Sequence, residues 1–208
     1  KFRSAKFERE APTPLKFGAD GKFRILHLTD IHDVEPEMDD DENREIPESR
    51  DRETINVIET LVAKTNPDLV VFGGDNISGY WEEFTYDLVK STIEKITAPI
   101  RKRNIPLCVV FGNHDDEQGV DKDTLLKYYQ QYGGKYCLAD EDYPDLHGAA
   151  IHNLTVLASD SDEIKFNLWM FDTNTYVYDE NDPTKRLGYD NVREDQIEWY
   201  KEKSAELE

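Results

Sequence analysis

RILHLTDIH at residues 24–32, NPDLVVFGGDN at residues 66–76 and IPLCVVFGNHD at residues 105–115 are three stretches with a shared pattern. Each contains a short apolar run of the length and composition typical of a buried strand, followed by glycine or polar side chains. Apolar residues at helical spacing separate the first stretch from the second and the second from the third. The resulting order of strand, helix, strand, helix, strand predicts an α/β fold that begins as a parallel βαβαβ unit.

The predicted elements of this first half follow from that pattern. The apolar runs give three strands, at Lys22–Thr29, Leu69–Phe72 and Ile105–Phe111. The first helix contains Ile55 to Val62 and stops at Asn66-Pro67, and the second runs from Leu88 to near Pro99. The acidic residues 33–52 between the first strand and the first helix are predicted to form a long loop.

The second half has weaker patterns, from which we predict four further elements. These are a helix around Leu125 that ends at Gly133-Gly134, two neighbouring strands near 149–158 and 164–171, and a last helix that starts at Asn191 with Glu194 as its capping partner. We predict an N-terminal arm over residues 1–21 and one domain over residues 22–208. We expect that domain to be incomplete at its C-terminus.

Composition and charge limit the possible functions. The 208 residues carry 45 Asp and Glu against 25 Lys and Arg, for a net charge of −20. Such acidity disfavours a long nucleic acid and an anionic membrane surface, since both are bound through clustered Lys and Arg. No apolar run approaches the roughly 20 residues that span a bilayer. A small phosphorylated substrate remains compatible, because a metal centre would dominate the local field.

The cysteines and the chain start give little information about function. Cys108 lies in an apolar run and is predicted to be a buried, inert thiol, while a disulfide to Cys137 is left open. The sequence begins at Lys1, so either a leader was removed or the chain was trimmed. In the first case the protein would be secreted or extracytoplasmic.

The chemistry lies directly after the three predicted strands. Asp30 and His32 follow the first, Asp75 follows the second and Asn113 follows the third. The carboxyl ends of parallel strands meet at one edge of the sheet, so we expect these side chains to converge there. Oxygen and imidazole donors without thiolate suit Mn, Fe or Zn. Each motif alone is typical of an ordinary turn, but the three together favour a metal site.

Asp-x-His, then Gly-Asp, then Gly-Asn-His-Asp resembles the opening signature of the calcineurin-like metallophosphoesterases, in the branch related to purple acid phosphatases. The match covers Phe23 to Asp115 well and extends more loosely to Trp199 through "LWMFDTN" and "GYDNVREDQIEWY". The resemblance implies an αββα sandwich of which this chain holds the N-terminal part. It also implies hydrolysis of phosphate esters by a dinuclear metal centre with a metal-bound hydroxide as the nucleophile.

The resemblance assigns a role to each motif residue. Asp30 and His32 would bind the first metal ion. Asp75 would bridge both ions, and Asn113 would bind the second. His114 would donate a proton to the leaving group, with Asp115 orienting it.

The sequence departs from the family pattern at two places. The family completes its site with a later lone histidine and a Gly-His-x-His element, whereas only His147 and His152 follow His114 here. We interpret both as surface or strand histidines and expect the remaining ligands to come from sequence outside these 208 residues. Ser78 stands where purple acid phosphatases have tyrosine, so we expect no tyrosinate-bound ferric ion.

Several alternatives stay open at this point. The leading hypothesis is a phosphomonoesterase or phosphodiesterase, and its rival is a non-catalytic binding domain that keeps the fold and part of the metal site. Tyr80 and Trp81 would either line a substrate pocket or cover the next helix. Asp172, after a predicted strand, is explained by a turn or cap.

Overall fold

The computed structural model describes residues 13–33, 47–77, 86–140, 143 and 145–207. Residues 34–46, which are most of the predicted acidic loop, lie outside the described ranges. Ser78, Tyr80 and Trp81 also lie outside them. The described part contains eight strands and four α-helices: β1 (Leu15–Lys16), β2 (Ile25–Leu28), α1 (Pro47–Thr65), β3 (Leu69–Phe72), α2 (Tyr86–Arg101), β4 (Leu107–Val109), α3 (Lys122–Gly133), β5 (His152–Leu157), β6 (Ile164–Met170), β7 (Tyr176–Asp179), β8 (Asp182–Tyr189) and α4 (Glu194–Glu206).

The central sheet has the order β2-β3-β4, and its strands are parallel. This confirms the parallel βαβαβ start predicted from the three apolar runs. Every residue of β3 is buried, as expected for a middle strand covered on both faces. The carboxyl ends of all three strands therefore lie at one edge of the sheet.

The outer strands of this sheet are shorter than predicted. Ladder pairing in β2 is confined to Ile25–Leu28, within the predicted Lys22–Thr29. The prediction that this strand is buried is wrong, because Ile25 is 40% exposed and Leu28 is the one residue of the strand that is buried. As the first strand of the row β2-β3-β4, it has a strand neighbour in this sheet on one side only.

The helices follow the predicted spacing, with corrected boundaries. Helix α1 begins at Pro47, inside the segment predicted to be loop up to Arg52. Proline suits the first turn of a helix, where its missing N–H has no intrahelical partner. Helix α2 continues two residues past Pro99, and its apolar face is fully buried at Val89, Ile93, Ile96 and Ile100. Each such side chain stabilises the fold by about 1.5–3 kcal/mol.

Helix α3 leads away from the third strand with well-defined ends. Its N-cap Asp121 accepts a hydrogen bond from the Thr124 N–H at 2.8 Å. The predicted end at Gly133-Gly134 is confirmed, and Gly134 has φ of 58°. Glycine takes this left-handed conformation without the strain that a side chain causes.

A second sheet has the order β1-β5-β6, with β5 and β6 antiparallel as neighbours. This confirms the two neighbouring strands predicted near 149–158 and 164–171. Leu15–Lys16 of the predicted arm pairs in parallel with β5, so part of that arm is a strand. The two sheets approach each other where Cys108 Sγ of β4 lies 3.1 Å from His152 Nε2 of β5.

The last elements are a hairpin and a helix. Strands β7 and β8 pair antiparallel, and the sequence analysis did not predict this hairpin. Helix α4 starts at Glu194, three residues later than predicted, and the capping partner is Gln196 rather than Glu194. The Gln196 side-chain oxygen accepts from the Arg193 N–H at 2.8 Å. Among the helices in the described ranges, none is both long and apolar enough to cross a bilayer.

Candidate metal centre

The loops that follow β2 and β3 are tied to each other beyond the strands. The Asp30 N–H donates to the Gly74 carbonyl at 3.0 Å, and the His32 N–H donates to the Asp75 carbonyl at 2.9 Å. These backbone hydrogen bonds extend the parallel pairing into the two motifs. The residues predicted to bind metal are therefore held side by side by the same ladder that forms the sheet.

Three of the predicted ligands come together at this edge. One ligand atom from each of Asp30, His32 and Asp75 lies within 4.8 Å of the other two. Asp30 is exposed, while His32 and Asp75 are half-buried, so the group opens to solvent on one side. Two carboxylates and one imidazole fit a hard or borderline divalent ion, and the donor set therefore fits the metal that the motifs suggest.

The same three residues adopt a strained backbone conformation. Asp30, His32 and Asp75 have φ of 54°, 47° and 50°, which places them in the left-handed region. Such a conformation costs on the order of 1–3 kcal/mol for a residue other than glycine, and it clusters at functional sites. Three of the seven non-glycine residues with positive φ among the described residues are thus the three that converge here.

Glycine lets the second and third loops touch. A Cβ atom on Gly112 would lie 2.2 Å from Asp75 Oδ1 and 2.6 Å from the Asp75 nitrogen. Gly74 has φ of 103°, and a Cβ there would meet the Gly112 nitrogen at 2.8 Å. The absence of a side chain at both glycines therefore lets the loop after β3 and the loop after β4 pack backbone to backbone.

Asp115 supports the loop that carries Asp75. Its carboxylate is 1% exposed and accepts four backbone hydrogen bonds. The donors are the N–H groups of Asp75 at 2.9 Å, Asn76 at 2.9 Å, Ile77 at 3.2 Å and Gly112 at 2.7 Å. Burial raises the pKa of Asp115 to about 6, against the lowering effect of the backbone donors.

His114 lies next to the three ligands, but its carboxylate partner is not the predicted one. The rings of His32 and His114 meet edge to face with centroids 5.3 Å apart. The His114 Nδ1 atom is 2.5 Å from Glu117 Oε2, whereas both oxygens of Asp115 accept from backbone amides. The prediction that Asp115 orients His114 is therefore replaced by a contact with Glu117.

Asn113 joins the site through its neighbours. The adjacent His114 N–H donates to Asp75 Oδ1 at 2.9 Å, which places Asn113 beside the converging ligands. The Asn113 side-chain nitrogen donates to the Tyr176 hydroxyl at 2.8 Å, and that hydroxyl lies 3.2 Å from Glu117 Oε1. Burial is the largest cause of a raised pKa for Tyr176.

Sequence reasoning missed Glu117 and Tyr176. Glu117 carried a local signal, since it follows His114 by three residues and its N–H closes a turn onto the His114 carbonyl. Tyr176 carried none, because it lies 63 residues from Asn113 and arrives on the hairpin that was not predicted.

The two later histidines lie elsewhere. His147 is exposed, and its Nδ1 atom is 2.9 Å from Asp195 Oδ2. His152 is buried in β5, where its ring contacts Cys108 and the Ala150 carbonyl. Within the described residues, neither belongs to the group formed by the three converging ligands.

Cys108 and Cys137 are both buried, and no disulfide joins them. Burial raises the pKa of the Cys108 thiol well above its ordinary value, which agrees with the predicted inert thiol.

Asp172 does more than close a turn. Its carboxylate is buried and accepts from the Asn174 N–H, the Lys122 ammonium and the Ala149 N–H at 2.8, 2.8 and 2.9 Å. Its carbonyl accepts from the Gln196 side chain at 2.7 Å. The predicted turn is present, and the same residue also joins α3 and α4 to the second sheet.

Comparison of the sequence with known proteins identifies a family and several relatives. Residues 23–206 match the calcineurin-like phosphoesterase family, and the chain belongs to that family. It is 31% identical to "Probable inactive purple acid phosphatase 14" of Arabidopsis thaliana over 93% of this chain and 49% of that protein. It is 26% identical to "Probable inactive purple acid phosphatase 29" of the same plant over 93% of this chain and 50% of that protein.

A third relative is "Phosphatase DCR2" of Saccharomyces cerevisiae, which is 34% identical over 47% of this chain and 17% of that protein. The chain spans about half the length of the two plant relatives. The comparisons support the purple acid phosphatase-like resemblance for the N-terminal part.

Proposed function

We propose that the full-length protein hydrolyses phosphate esters, either a phosphomonoester or a small phosphodiester, with a dinuclear metal centre. The observation that carries this proposal is the convergence of Asp30, His32 and Asp75 within 4.8 Å at the carboxyl edge of a parallel sheet. The family membership adds the reaction class. The net charge of −20 favours a small substrate over a long polyanion.

Each ligand has a distinct task in this proposal. Asp30 and His32 would hold the first metal ion, Asp75 would serve both ions, and Asn113 would offer its amide oxygen to the second. Mn, Fe or Zn fit this donor set. When bound, the ions would supply Lewis-acid activation of the phosphate and an activated water. A carboxylate at Asp75 is needed because it offsets the repulsion between two cations.

His114 supplies the proton for the leaving group. An alkoxide leaves phosphorus poorly unless it is protonated, and imidazole is suited to that transfer near neutral pH. Glu117 contacts Nδ1 at 2.5 Å, so the ring is oriented with Nε2 as the donating nitrogen. Asp115 acts at a distance from the reaction by holding the backbone of the loop that carries Asp75.

A non-catalytic binding domain is the second candidate function. The names of the two plant relatives contain the word inactive. Among the described residues, the candidate metal group contains Asp30, His32 and Asp75 and no further histidine. A domain with these ligands alone would bind metal weakly and would serve recognition rather than turnover.

Turnover separates the two candidates. We expect the full-length protein loaded with Mn to hydrolyse p-nitrophenyl phosphate above a metal-free control. We expect the 208-residue chain alone to bind metal poorly and to hydrolyse the ester very slowly or not at all, because four side-chain ligands from this chain leave both ions incompletely coordinated. The measurement is the initial rate of both proteins with and without Mn.

A full-length protein without metal-dependent turnover on phosphomonoesters and small diesters would favour the binding domain. Robust turnover by the 208-residue chain would show that its own residues complete the site. In that case His147 and His152 would need to be tested as ligands.

A further inference from the structure

The hairpin formed by β7 and β8 brings one hydroxyl group into the candidate metal centre. Tyr176 lies at the start of β7, and its hydroxyl accepts a hydrogen bond from the Asn113 side-chain nitrogen at 2.8 Å. The same hydroxyl lies 3.2 Å from Glu117 Oε1. The loop between β4 and α3 and a hairpin from a distant part of the chain thus meet at a single oxygen atom.

The direction of these hydrogen bonds follows from chemistry. The Tyr176 hydroxyl donates its single proton to Glu117 Oε1 at 3.2 Å. The Tyr176 oxygen can then act only as an acceptor toward Asn113. The Asn113 amide must therefore turn its nitrogen to Tyr176 and its oxygen to the opposite side.

This orientation matters because a metal ion requires the amide oxygen. An asparagine amide presents an oxygen on one side and a nitrogen on the other, and the nitrogen cannot bind a cation. A half-turn of the amide group would exchange the two atoms and remove the ligand. Groups beyond the direct ligands commonly fix such orientations at metal sites. Tyr176 and Glu117 are placed to do this for Asn113.

The hairpin holds the Tyr176 ring independently of its hydroxyl. The Arg186 guanidinium lies 4.3 Å from the Tyr176 ring centroid, and the Tyr189 ring centroid lies at 5.5 Å. Cation–π and aromatic contacts of this kind stabilise the ring position. Removing only the hydroxyl should leave the hairpin in place.

We propose that Tyr176, directed by Glu117, is a positioning residue that fixes the Asn113 amide with its oxygen toward the second metal ion. This role rests on the proposed function, since it presupposes metal binding by Asn113. Glu117 also contacts His114 Nδ1 through its other oxygen. One carboxylate therefore sets the orientation of both the second-ion ligand and the proton donor.

Tyr176→Phe in the full-length protein tests this role, with Tyr178→Phe as the matched control. Tyr178 lies on the same strand and packs against Tyr176 at 6.4 Å, and it lies outside the hydrogen-bonded group of Asn113, Tyr176 and Glu117. Titration calorimetry with Mn should show two bound ions in the wild type and in the control. In Tyr176→Phe the first ion should bind normally, and the affinity for the second should fall about 10–100-fold.

A second variant separates orientation from general damage. In an Asn113→Asp background the ligand presents oxygen whichever way it turns, so adding Tyr176→Phe should change the affinity for the second ion less than about 3-fold. This reading follows from the two equivalent oxygens of a carboxylate. A purely structural role for Tyr176 would instead give the same loss in both backgrounds.

The measured metal affinities test both the positioning role of Tyr176 and the proposed function. Equal affinity for the second ion in Tyr176→Phe and Tyr178→Phe would overturn the positioning role, as would an undiminished loss in the Asn113→Asp background. If the wild type takes up two ions, either of these results overturns the positioning role alone and leaves the proposed function standing. A wild type that takes up no metal would remove the proposed function and this role with it.

Discussion

Replacing Asp75 by asparagine in the full-length protein is expected to abolish dinuclear metal occupancy and turnover together. A neutral amide offsets the repulsion between two cations poorly, and it has only one oxygen to share between them. The fold should survive, because the amide oxygen can still accept the His114 N–H that donates to Asp75 Oδ1 at 2.9 Å. The measurements are metal content after equilibration with Mn and kcat/KM on p-nitrophenyl phosphate.

Asp87→Asn is the matched control for this substitution. The Asp87 side chain is 95% exposed in the first turn of α2, so the same chemical change there should alter neither quantity. Retention of two ions and of substantial turnover by Asp75→Asn would contradict the bridging role.

Replacing His114 by alanine is expected to slow alkyl phosphate hydrolysis by about 10²–10⁴-fold, which is the usual contribution of general acid catalysis. The metal content should stay nearly intact, because the His114 ring contacts Glu117 through Nδ1 and is proposed to donate a proton, not to bind a metal ion. The defect should shrink for p-nitrophenyl phosphate, whose phenolate leaves without much help. The measurement is kcat/KM on both esters together with metal content.

His147→Ala controls for the loss of an imidazole elsewhere. His147 is exposed and contacts Asp195, so we expect wild-type kinetics on both esters. If His114→Ala empties a metal position, or slows both esters equally, the proton-donor role is wrong.

The parallel sheet and the convergence of three candidate ligands could be predicted from the sequence because both depend on short-range patterns. The apolar runs that become β2, β3 and β4 lie directly before Asp30, Asp75 and Asn113. Parallel pairing then places their ends together without further information. The convergence of Asp30, His32 and Asp75 is a consequence of that pairing.

Features that depend on distant contacts could not be predicted in this way. The role of Asp115 as a backbone acceptor requires the position of a loop about 40 residues earlier in the chain. Tyr176 reaches Asn113 only because the β7–β8 hairpin folds back over the site. Strand β1 has two residues, which is too short for any periodicity to reveal it.

Some predicted helix boundaries differ from the observed ones for local reasons. The segment from Pro47 to Arg52 was predicted to be loop because it contains proline and acidic residues. Helix α1 nevertheless begins at Pro47, since proline is favourable in the first turn of a helix. Pro99 read as a helix end, although α2 tolerates it in its last turn. These errors moved boundaries by a few residues and left the candidate site unchanged.

The names of the plant relatives and the candidate ligands of this chain point to different expectations for turnover. Those relatives carry the word inactive in their names, whereas one ligand atom from each of Asp30, His32 and Asp75 lies within 4.8 Å of the other two here. Metal binding is therefore the property on which the account depends, and it precedes any question of substrate.

The location of bound Mn in crystals of the full-length protein tests this directly. Anomalous scattering should show two peaks about 3.5–4 Å apart, both within bonding distance of Asp75. One peak should contact Asp30 and His32, and the other should contact the amide oxygen of Asn113. No peak at Asp75, or a peak bound only by residues outside this group, would contradict the account.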